Sequence, residues 1–124
     1  MATVLIVDDS PIVRQQVKLA LMPEGFELLE AEDGVQGLEM LETRSEIGLL
    51  ICDVNMPNMN GIEMLEQMSG KGVRADLPIV MLTTEGDPAL MKKAKQFGAK
   101  GWIVKPFQAP MLVAAAKKLT LVLS

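Results

Sequence analysis

The chain has 124 residues, of which 49% are hydrophobic and 23% are charged, a composition typical of a single globular domain over residues 1–124. Its net charge of −4 argues against a nucleic-acid-binding surface, which needs an excess of Lys and Arg. The chain has no histidine and a single cysteine, Cys52, which excludes a His-based zinc site, a Ser–His pair and an internal disulfide. No apolar run approaches the ~20 residues of a membrane span, and the N-terminus lacks signal-peptide features, so we expect a cytoplasmic protein.

Apolar strand patterns alternate with amphipathic helix patterns from the start of the chain. Residues 3–7 predict a strand, and Ser10 followed by Pro11 predicts the cap and first turn of a helix. The side chains of this helix that we expect to face the core are Val13, Val17, Ala20 and Leu21. Those that we expect to face solvent are Arg14, Gln15 and Lys18. Gly25 marks its end, and residues 26–31 predict a second strand. A second helix follows Asp33, with three residues inward: Val35, Leu38 and Leu41.

The middle of the chain contains a short unbroken apolar run, residues 49–52, of the kind that a strand buried on both faces shows. The run ends in Asp53, and turn residues then lead to Asn60, which predicts the cap of a third helix. We expect a loop over residues 69–76 and a fourth strand over residues 77–82, which leads into Thr83.

The last third repeats the alternation. Asp87 and Pro88 predict the start of a helix that ends at Gly98. Gly101 to Val104 predicts a short fifth strand, and a final helix is expected from Ala109 to Leu123. Five strand–helix alternations predict a parallel sheet with right-handed crossovers, in a three-layer α/β sandwich.

Reactive side chains follow four of the five predicted strands: Asp8 and Asp9, Asp53, Thr83, and Lys105. Taken alone, Asp53 could be an ordinary turn residue. Because the carboxyl ends of parallel strands lie along one edge of the sheet, these side chains are expected to share a crevice there. Turn chemistry alone does not account for three carboxylates, a hydroxyl and an amine at the same edge.

Three carboxylates in one crevice require a cation. Two unit charges ~4 Å apart repel by about 4 kcal/mol at an effective dielectric constant near 20. Lys105 is one possible source of positive charge, and a divalent ion is the other. Oxygen ligands without His or a Cys cluster favour Mg²⁺ over zinc.

The same side chains suit phosphoryl transfer, which needs a nucleophilic oxygen, a metal and donors directed at the phosphoryl oxygens. Asp53 stands alone on its strand and is the candidate nucleophile, since Asp forms aspartyl phosphates. The adjacent pair Asp8 and Asp9 suits metal binding, and Thr83 and Lys105 suit contacts to phosphoryl oxygens. The chain has no glycine-rich phosphate loop, which argues against nucleotide binding.

Four segments, VDDS, DVNMPNMNG, MLTTE and KPF, occur in this order and resemble the receiver domain of two-component response regulators. The resemblance covers about residues 3–123 and is strongest to the stand-alone chemotaxis members of that family. It implies a flavodoxin-like (βα)5 fold with strand order 2-1-3-4-5. It also implies that a partner histidine kinase phosphorylates Asp53 in a Mg²⁺-dependent reaction, so that the protein is a signalling switch and not an enzyme in the usual sense.

The resemblance assigns roles to single residues. It makes Asp9 and Asp53 direct Mg²⁺ ligands, with Asp8 acting mostly through water and the backbone carbonyl of Asn55 completing the set. It makes Thr83 the hydroxyl residue that moves toward the phosphoryl group and Lys105 the ion-pairing lysine. The Lys105–Pro106 peptide bond is cis in the family, and X–Pro bonds adopt that form at low cost.

Four positions are expected to modify this scheme. Trp102 occupies the aromatic switch position, where Tyr or Phe is usual, and its bulk is expected to hinder an inward rotamer; a packing role is the alternative. Thr84 stands where many relatives have Ala or Gly and could restrict access to the phosphoryl site. Asn55 and Glu85 lie at positions that tune dephosphorylation in the family.

The output surface implied by the resemblance is the face formed by three segments: the Asp87–Gly98 helix, the Gly101–Val104 strand and the C-terminal helix. The first of these carries Lys92, Lys93 and Lys95, which form either a basic docking face or an ordinary solvated one. The sequence has no output domain after Ser124, so we expect signalling through binding of a downstream protein, as in chemotaxis.

Three alternatives remain open. A haloacid-dehalogenase-type phosphatase would also use an aspartyl phosphate, but it needs a second acid where this chain has Asn55. A flavin carrier would have to bind phosphate at its first loop, where Asp8 and Asp9 repel it. A receiver that acts only as a phosphate sink would need no downstream target.

Overall fold

The computed structural model describes residues 2–120, in which strands and helices alternate. The strands are β1 (Thr3–Val7), β2 (Glu27–Ala31), β3 (Ile47–Cys52), β4 (Ile79–Thr83) and β5 (Ala99–Val104). The helices are α1 (Pro11–Leu21), α2 (Gly34–Thr43), α3 (Gly61–Lys71), α4 (Pro88–Gln96) and α5 (Ala109–Thr120). The strands form one parallel sheet in the order β2-β1-β3-β4-β5. This confirms the predicted fold.

Two apolar layers cover the sheet, and their side chains come from alternate positions of the central strands. On one face Val17 of α1 and Leu112 of α5 pack on strand residues such as Ile51. On the other face Leu41 of α2 and Met64 of α3 pack on residues such as Leu50. Strand β3 is buried on both faces, as its unbroken apolar run predicts.

The predicted helix caps are present. Ser10, Asp33, Asn60 and Asp87 each accept a hydrogen bond from a backbone amide in the first turn of the helix that follows. Asn60 also forms a capping box with Glu63, whose side chain accepts from the amide of Asn60. The polar residues that begin helices α1 to α4 therefore act as the sequence indicates.

Several element boundaries differ from the predictions. Strand β5 begins at Ala99 and not at Gly101, because Ala99 pairs with Ile79 before a register irregularity. Helix α3 continues through residues 69–71, which we expected to be loop, and ends at Gly72 in the left-handed conformation. Helix α5 is described to Thr120, so the predicted end at residue 123 lies outside the described residues.

Two side chains lie where the helical pattern did not place them. Val35 is 48% exposed. Helix α2 packs on the sheet through residues 34, 37, 38 and 41, and Val35 lies outside this buried face. Gly37 takes the central place, where a Cβ would lie 2.8 Å from Val7 and 3.0 Å from Met64. Arg14 was expected to face solvent, but its side chain is only 12% exposed.

Within residues 2–120, no helix has the length and apolar character needed to cross a membrane.

Candidate functional site

The carboxyl ends of four strands bring the predicted site residues to one edge of the sheet. Asp8 follows β1, Asp53 follows β3, Thr83 ends β4 and Lys105 follows β5. Asp8 and Thr83 are fully buried and Asp53 is 5% exposed, whereas Asp9 is exposed. The reactive groups therefore form a shallow crevice with a buried floor, and Asp9 lies at its rim.

The backbone orients the carboxylate of Asp53. Its amide donates to the carbonyl of Val7 over 3.0 Å, which fixes Asp53 next to the end of β1. Its Oδ1 accepts a hydrogen bond of 2.7 Å from the amide of Val54, and its Oδ2 accepts one of 3.2 Å from Lys105 Nζ. Gly61 closes the back of the site, since a Cβ there would lie 2.0 Å from the carbonyl oxygen of Asp53.

Lys105 joins two of the three carboxylates. Its Nζ donates to Asp8 Oδ2 over 2.7 Å as well as to Asp53, and its amide donates to the carbonyl of Thr83 over 2.9 Å. Burial by itself lowers the pKa of Lys105, but the hydrogen bond to Asp8 and the charges of Asp8 and Asp53 outweigh burial and raise that pKa. The ammonium form is therefore favoured. The Lys105–Pro106 bond is cis.

Asp8 is held on several sides. Its Oδ1 accepts from the amide of Ser10 over 2.9 Å, and its carbonyl accepts from the guanidinium of Arg14 over 2.6 Å. Burial raises the pKa of Asp8, and neither the hydrogen bond from Lys105 nor the one from Ser10 fully offsets it. Additional positive charge beside Asp8 would therefore stabilise its ionised form.

The donor set fits a hard divalent cation. Asp8, Asp9 and Asp53 each offer a carboxylate oxygen, and these oxygens lie within 4.8 Å of one another. Carboxylate oxygens are the ligands that Mg²⁺ prefers. Cys52 offers no soft ligand, because it is buried, its Sγ contacts the carbonyl of Asp53 at 3.2 Å, and burial raises the pKa of its thiol.

A chain of hydrogen bonds runs from Thr83 to Trp102. The hydroxyl oxygen of Thr83 accepts from the amide of Glu85 over 3.1 Å. The carbonyl of the same Glu85 accepts from the indole Nε1 of Trp102 over 2.9 Å. Trp102 is half-buried and packs against the apolar cluster on the α4 side of the sheet, while Thr84 between these residues is exposed. The bond to Glu85 gives Trp102 a polar partner that its place in the sequence did not indicate.

The loop after β3, residues 54–60, carries the remaining predicted ligand. Asn55 is exposed within this loop, two residues beyond Asp53. The amide of Gly61 donates to the carbonyl of Val54 over 2.9 Å, which ties the two ends of the loop together. Asn55 is thus placed beside the crevice by the course of the chain.

The family of this chain follows from its match to the model of a known protein family. The model of the response regulator receiver domain matches residues 4–117. The chain belongs to this family. The predicted family resemblance is thereby confirmed, and the receiver domain described here is that of a CheY-like response regulator.

Curated relatives agree with the family match. The receiver domain is 39% identical over 109 residues to the chemotaxis protein CheY1 of Helicobacter pylori, which covers 87% of this chain and 88% of that protein. It is also 39% identical over 109 residues to a chemotaxis protein CheY homolog of Campylobacter jejuni, which covers 87% and 84% of the two chains.

Solved structures show the same fold. The chemotaxis response regulator CheY4 of Vibrio cholerae superposes with a TM-score of 0.86 at 38% identity, covering 96% of this receiver domain and 98% of that chain. A CheY-like receiver domain protein of Methanospirillum hungatei superposes with a TM-score of 0.88 at 28% identity, covering 96% and 94%.

Sequence reasoning missed several residues that shape the crevice. Arg14 was assigned to the solvent face, yet it reaches the carbonyl of Asp8 and pairs with Glu30 at 2.9 Å. Asn58 and Asp33 form a hydrogen bond of 2.8 Å beside the site. A signal for Asn58 existed, since Asn is the residue after Gly that most readily adopts the positive φ that it has here.

Proposed function

We propose that this receiver domain is a CheY-like response regulator that accepts a phosphoryl group on Asp53 from the phosphohistidine of a partner kinase. The observation that carries the proposal is the position of the Asp53 carboxylate, which accepts a hydrogen bond from the ammonium of Lys105 and clusters with the carboxylates of Asp8 and Asp9. The curated relatives are named as chemotaxis proteins, which supports a role in chemotaxis signalling. In this proposal the protein is a switch in the cytoplasm, and its turnover of phosphate serves signalling.

The proposed reaction transfers one group. An oxygen of the Asp53 carboxylate attacks phosphorus, the new O–P bond forms, and the N–P bond to the donor imidazole breaks. The donor imidazole, protonated on its other ring nitrogen, leaves as neutral imidazole with the electron pair of the N–P bond, and Asp53 becomes an acyl phosphate. The amide of Val54 holds Oδ1 in place, so only small motion of the nucleophile is required.

Lys105 and Thr83 receive the transferred group in this scheme. The ammonium of Lys105 already faces Asp53 and would pair with a phosphoryl oxygen. The Thr83 hydroxyl oxygen accepts from Glu85, which leaves its hydrogen free to donate to another phosphoryl oxygen. Asp8, Asp9, Asp53 and the Asn55 carbonyl would hold Mg²⁺, which neutralises charge on the phosphoryl oxygens when bound.

The proposed switch follows from the bonds around Glu85. Movement of Thr83 toward a phosphoryl group would pull on the amide of Glu85, whose carbonyl is bonded to Trp102. Trp102 lies on β5, at the surface where the downstream target is proposed to bind. Thr84 and Glu85 would tune how long the phosphoryl group survives, since both directly follow Thr83 in the chain.

The proposed docking face for the downstream protein consists of α4, β5 and α5. A groove of about 370 Å³ lies between α4 and β5 and is lined by Met91, Gly101 and Trp102 together with Lys92, Lys95 and Lys100. Apolar side chains are also exposed on β5 and α5, with Val104 at 53% and Met111 at 58% exposure. Basic side chains around an apolar groove favour an acidic, partly apolar partner segment.

The phosphatase alternative has less support. The crevice contains no carboxylate at position 55, where that enzyme class needs a general acid, because Asn55 stands there. A phosphate sink uses the same crevice, and only the presence of a phosphorylation-dependent target separates it from a switch.

Mass spectrometry tests the proposed function. Incubation of the protein with acetyl phosphate and Mg²⁺ is expected to add ~80 Da, the mass of one phosphoryl group. Asp53→Asn removes the nucleophile and is expected to abolish the addition, whereas Asp76→Asn, an exposed acid far from the crevice, is the matched control that should retain it. An unchanged mass for the parent protein would overturn the proposal.

A further inference from the structure

The loop that follows Asp53 is fastened to helix α2 by two hydrogen bonds. Asn58 Nδ2 donates to Asp33 Oδ2 over 2.8 Å, at the N-terminus of the helix. The amide of Gly34 donates to the carbonyl of Met59 over 3.1 Å. Gly34 permits this approach, since a Cβ there would lie 2.7 Å from that carbonyl oxygen. The far half of the loop is therefore joined to a neighbouring element by both side chain and backbone.

Asp33 is a firm anchor for this contact. It is 6% exposed, and its Oδ1 accepts from the amide of Gln36 over 2.9 Å. The Gln36 amide and the Asn58 side chain stabilise the charged form and lower the pKa of Asp33. Hydrogen bonds to an ionised carboxylate are stronger than neutral ones, so the link to Asn58 is a strong one.

The backbone of Asn58 is also specialised. Its φ of 67° places it in the left-handed region, which few residues other than Gly enter. The amide of Met59 donates to the carbonyl of Pro57 over 2.7 Å, which closes a three-residue turn around Asn58. Asn58 therefore combines two properties, a tolerated positive φ and a side-chain donor directed at Asp33.

A short and stiff path leads from this turn to the Asn55 carbonyl. Pro57 has a fixed φ and restricts Met56 before it to extended conformations. At the other end, the amide of Val54 is bonded to Asp53 Oδ1 and its carbonyl to Gly61. The peptide that carries the Asn55 carbonyl is thus held between two anchors, one at Val54 and one at Asn58.

We propose that Asn58 and Asp33 are positioning residues for the magnesium site, because their hydrogen bond sets the direction in which the Asn55 carbonyl points. The inference rests on the proposed function, in which that carbonyl is a metal ligand. Neither residue touches the metal in this scheme. Outer residues that orient metal ligands commonly change metal affinity by 10–100-fold when replaced.

Three variants of the pair test the inference by calorimetric titration with MgCl₂. Asn58→Asp keeps the shape of the side chain but sets two carboxylates against each other, and we expect its magnesium Kd to rise about tenfold or more. Asn58→Gly keeps the positive φ but removes the donor, and we expect a smaller rise. The double variant Asp33→Asn with Asn58→Asp reverses donor and acceptor, keeps an Asn cap on α2, and is expected to restore the Kd to within about threefold.

A core variant separates positioning from general stability. Val17→Ala truncates a fully buried side chain on the opposite face of the sheet and lowers Tm without contact to the loop. We expect it to leave the magnesium Kd unchanged. Equal Kd values for the parent, Asn58→Asp and Asn58→Gly would overturn the inference, as would a rise in Val17→Ala that matches the rise in Asn58→Asp. A parent protein that binds no magnesium would instead overturn the proposed function.

Discussion

Trp102 and Glu85 are joined by a hydrogen bond of 2.9 Å from the indole Nε1 to the backbone carbonyl. The amide of Glu85 is bonded in turn to the hydroxyl of Thr83, over 3.1 Å. Glu85 thus connects the two sites: its amide bonds to Thr83 in the crevice, and its carbonyl bonds to Trp102 at the proposed docking face. A shift of Thr83 by a few tenths of an ångström changes the geometry of both bonds, since hydrogen bonds weaken steeply with misalignment.

The emission of Trp102 is therefore expected to report the state of the crevice. Addition of Mg²⁺ and beryllofluoride, a phosphoryl mimic, should change the fluorescence intensity or maximum, because the bond between the indole and Glu85 is altered. Trp102 is the single tryptophan of the chain, so the signal has one source. Thr83→Ala removes the hydroxyl and is expected to abolish the change, while Thr84→Ala, an exposed neighbour, should retain it. An equal response in Thr83→Ala would contradict this coupling.

Asp9→Asn is expected to have opposite effects on stability with and without magnesium. Without the ion, removal of one charge relieves repulsion from Asp8 and Asp53, whose oxygens lie within 4.8 Å, and should raise the free energy of unfolding by about 1 kcal/mol. With the ion at a hundredfold excess over its Kd, the parent should gain about 2.7 kcal/mol and the variant much less. Urea unfolding in EDTA and in MgCl₂ measures both, and the same gain in the two proteins would remove Asp9 from the metal site.

Two glycines of helix α3 should respond oppositely to alanine. Gly61→Ala places a Cβ 2.0 Å from the carbonyl oxygen of Asp53, which the backbone can relieve only by moving the loop, so we expect a loss of about 3 kcal/mol. At Gly70 an added Cβ would meet no neighbouring group of the described residues within 4 Å, and Gly70→Ala should stabilise the helix by about 0.5–1 kcal/mol. Urea unfolding followed by circular dichroism measures the difference, and similar values for the two variants would contradict the close approach at Gly61.

The ion pairs of Glu30 should make stability depend on pH in the acid range. The hydrogen bond from Lys18 foremost, and that from Arg14, lower the pKa of Glu30 from its ordinary value of 4.5. Because the folded pKa is the lower one, this stabilisation is fully present above pH 4.5 and is lost as the pH falls through the folded value. The difference in unfolding free energy between the parent and Glu30→Gln should therefore shrink as the pH is lowered from about 6 to about 3, the range over which a carboxylate becomes protonated. A difference that stays constant would show that the pairs contribute nothing.

Local patterns account for the elements and for which residues share an edge. The caps at Ser10 and Asn60 act through their own helices, so the chain near them suffices to predict them. The edge follows from topology, because every strand in a parallel sheet ends on the same side and the residue after each strand must lie there. Asp8, Asp53, Thr83 and Lys105 could thus be grouped from the order of strands and helices alone.

Contacts between distant segments could not be predicted from local patterns or from the order of strands and helices. The bonds of Trp102 to Glu85 and of Asn58 to Asp33 join residues whose separation in the chain sets neither distance nor direction. The prediction that Arg14 faces solvent was wrong for the same reason. The helical period shows on which side of the helix a side chain begins, but the long side chain of Arg14 reaches back to the carbonyl of Asp8. Residue types and their periods were enough to place the acidic crevice on the fold. Only the packing of loops against helices decided which of its groups are held, and by what, because a hydrogen bond depends on ångström-scale distances that periodicity does not contain.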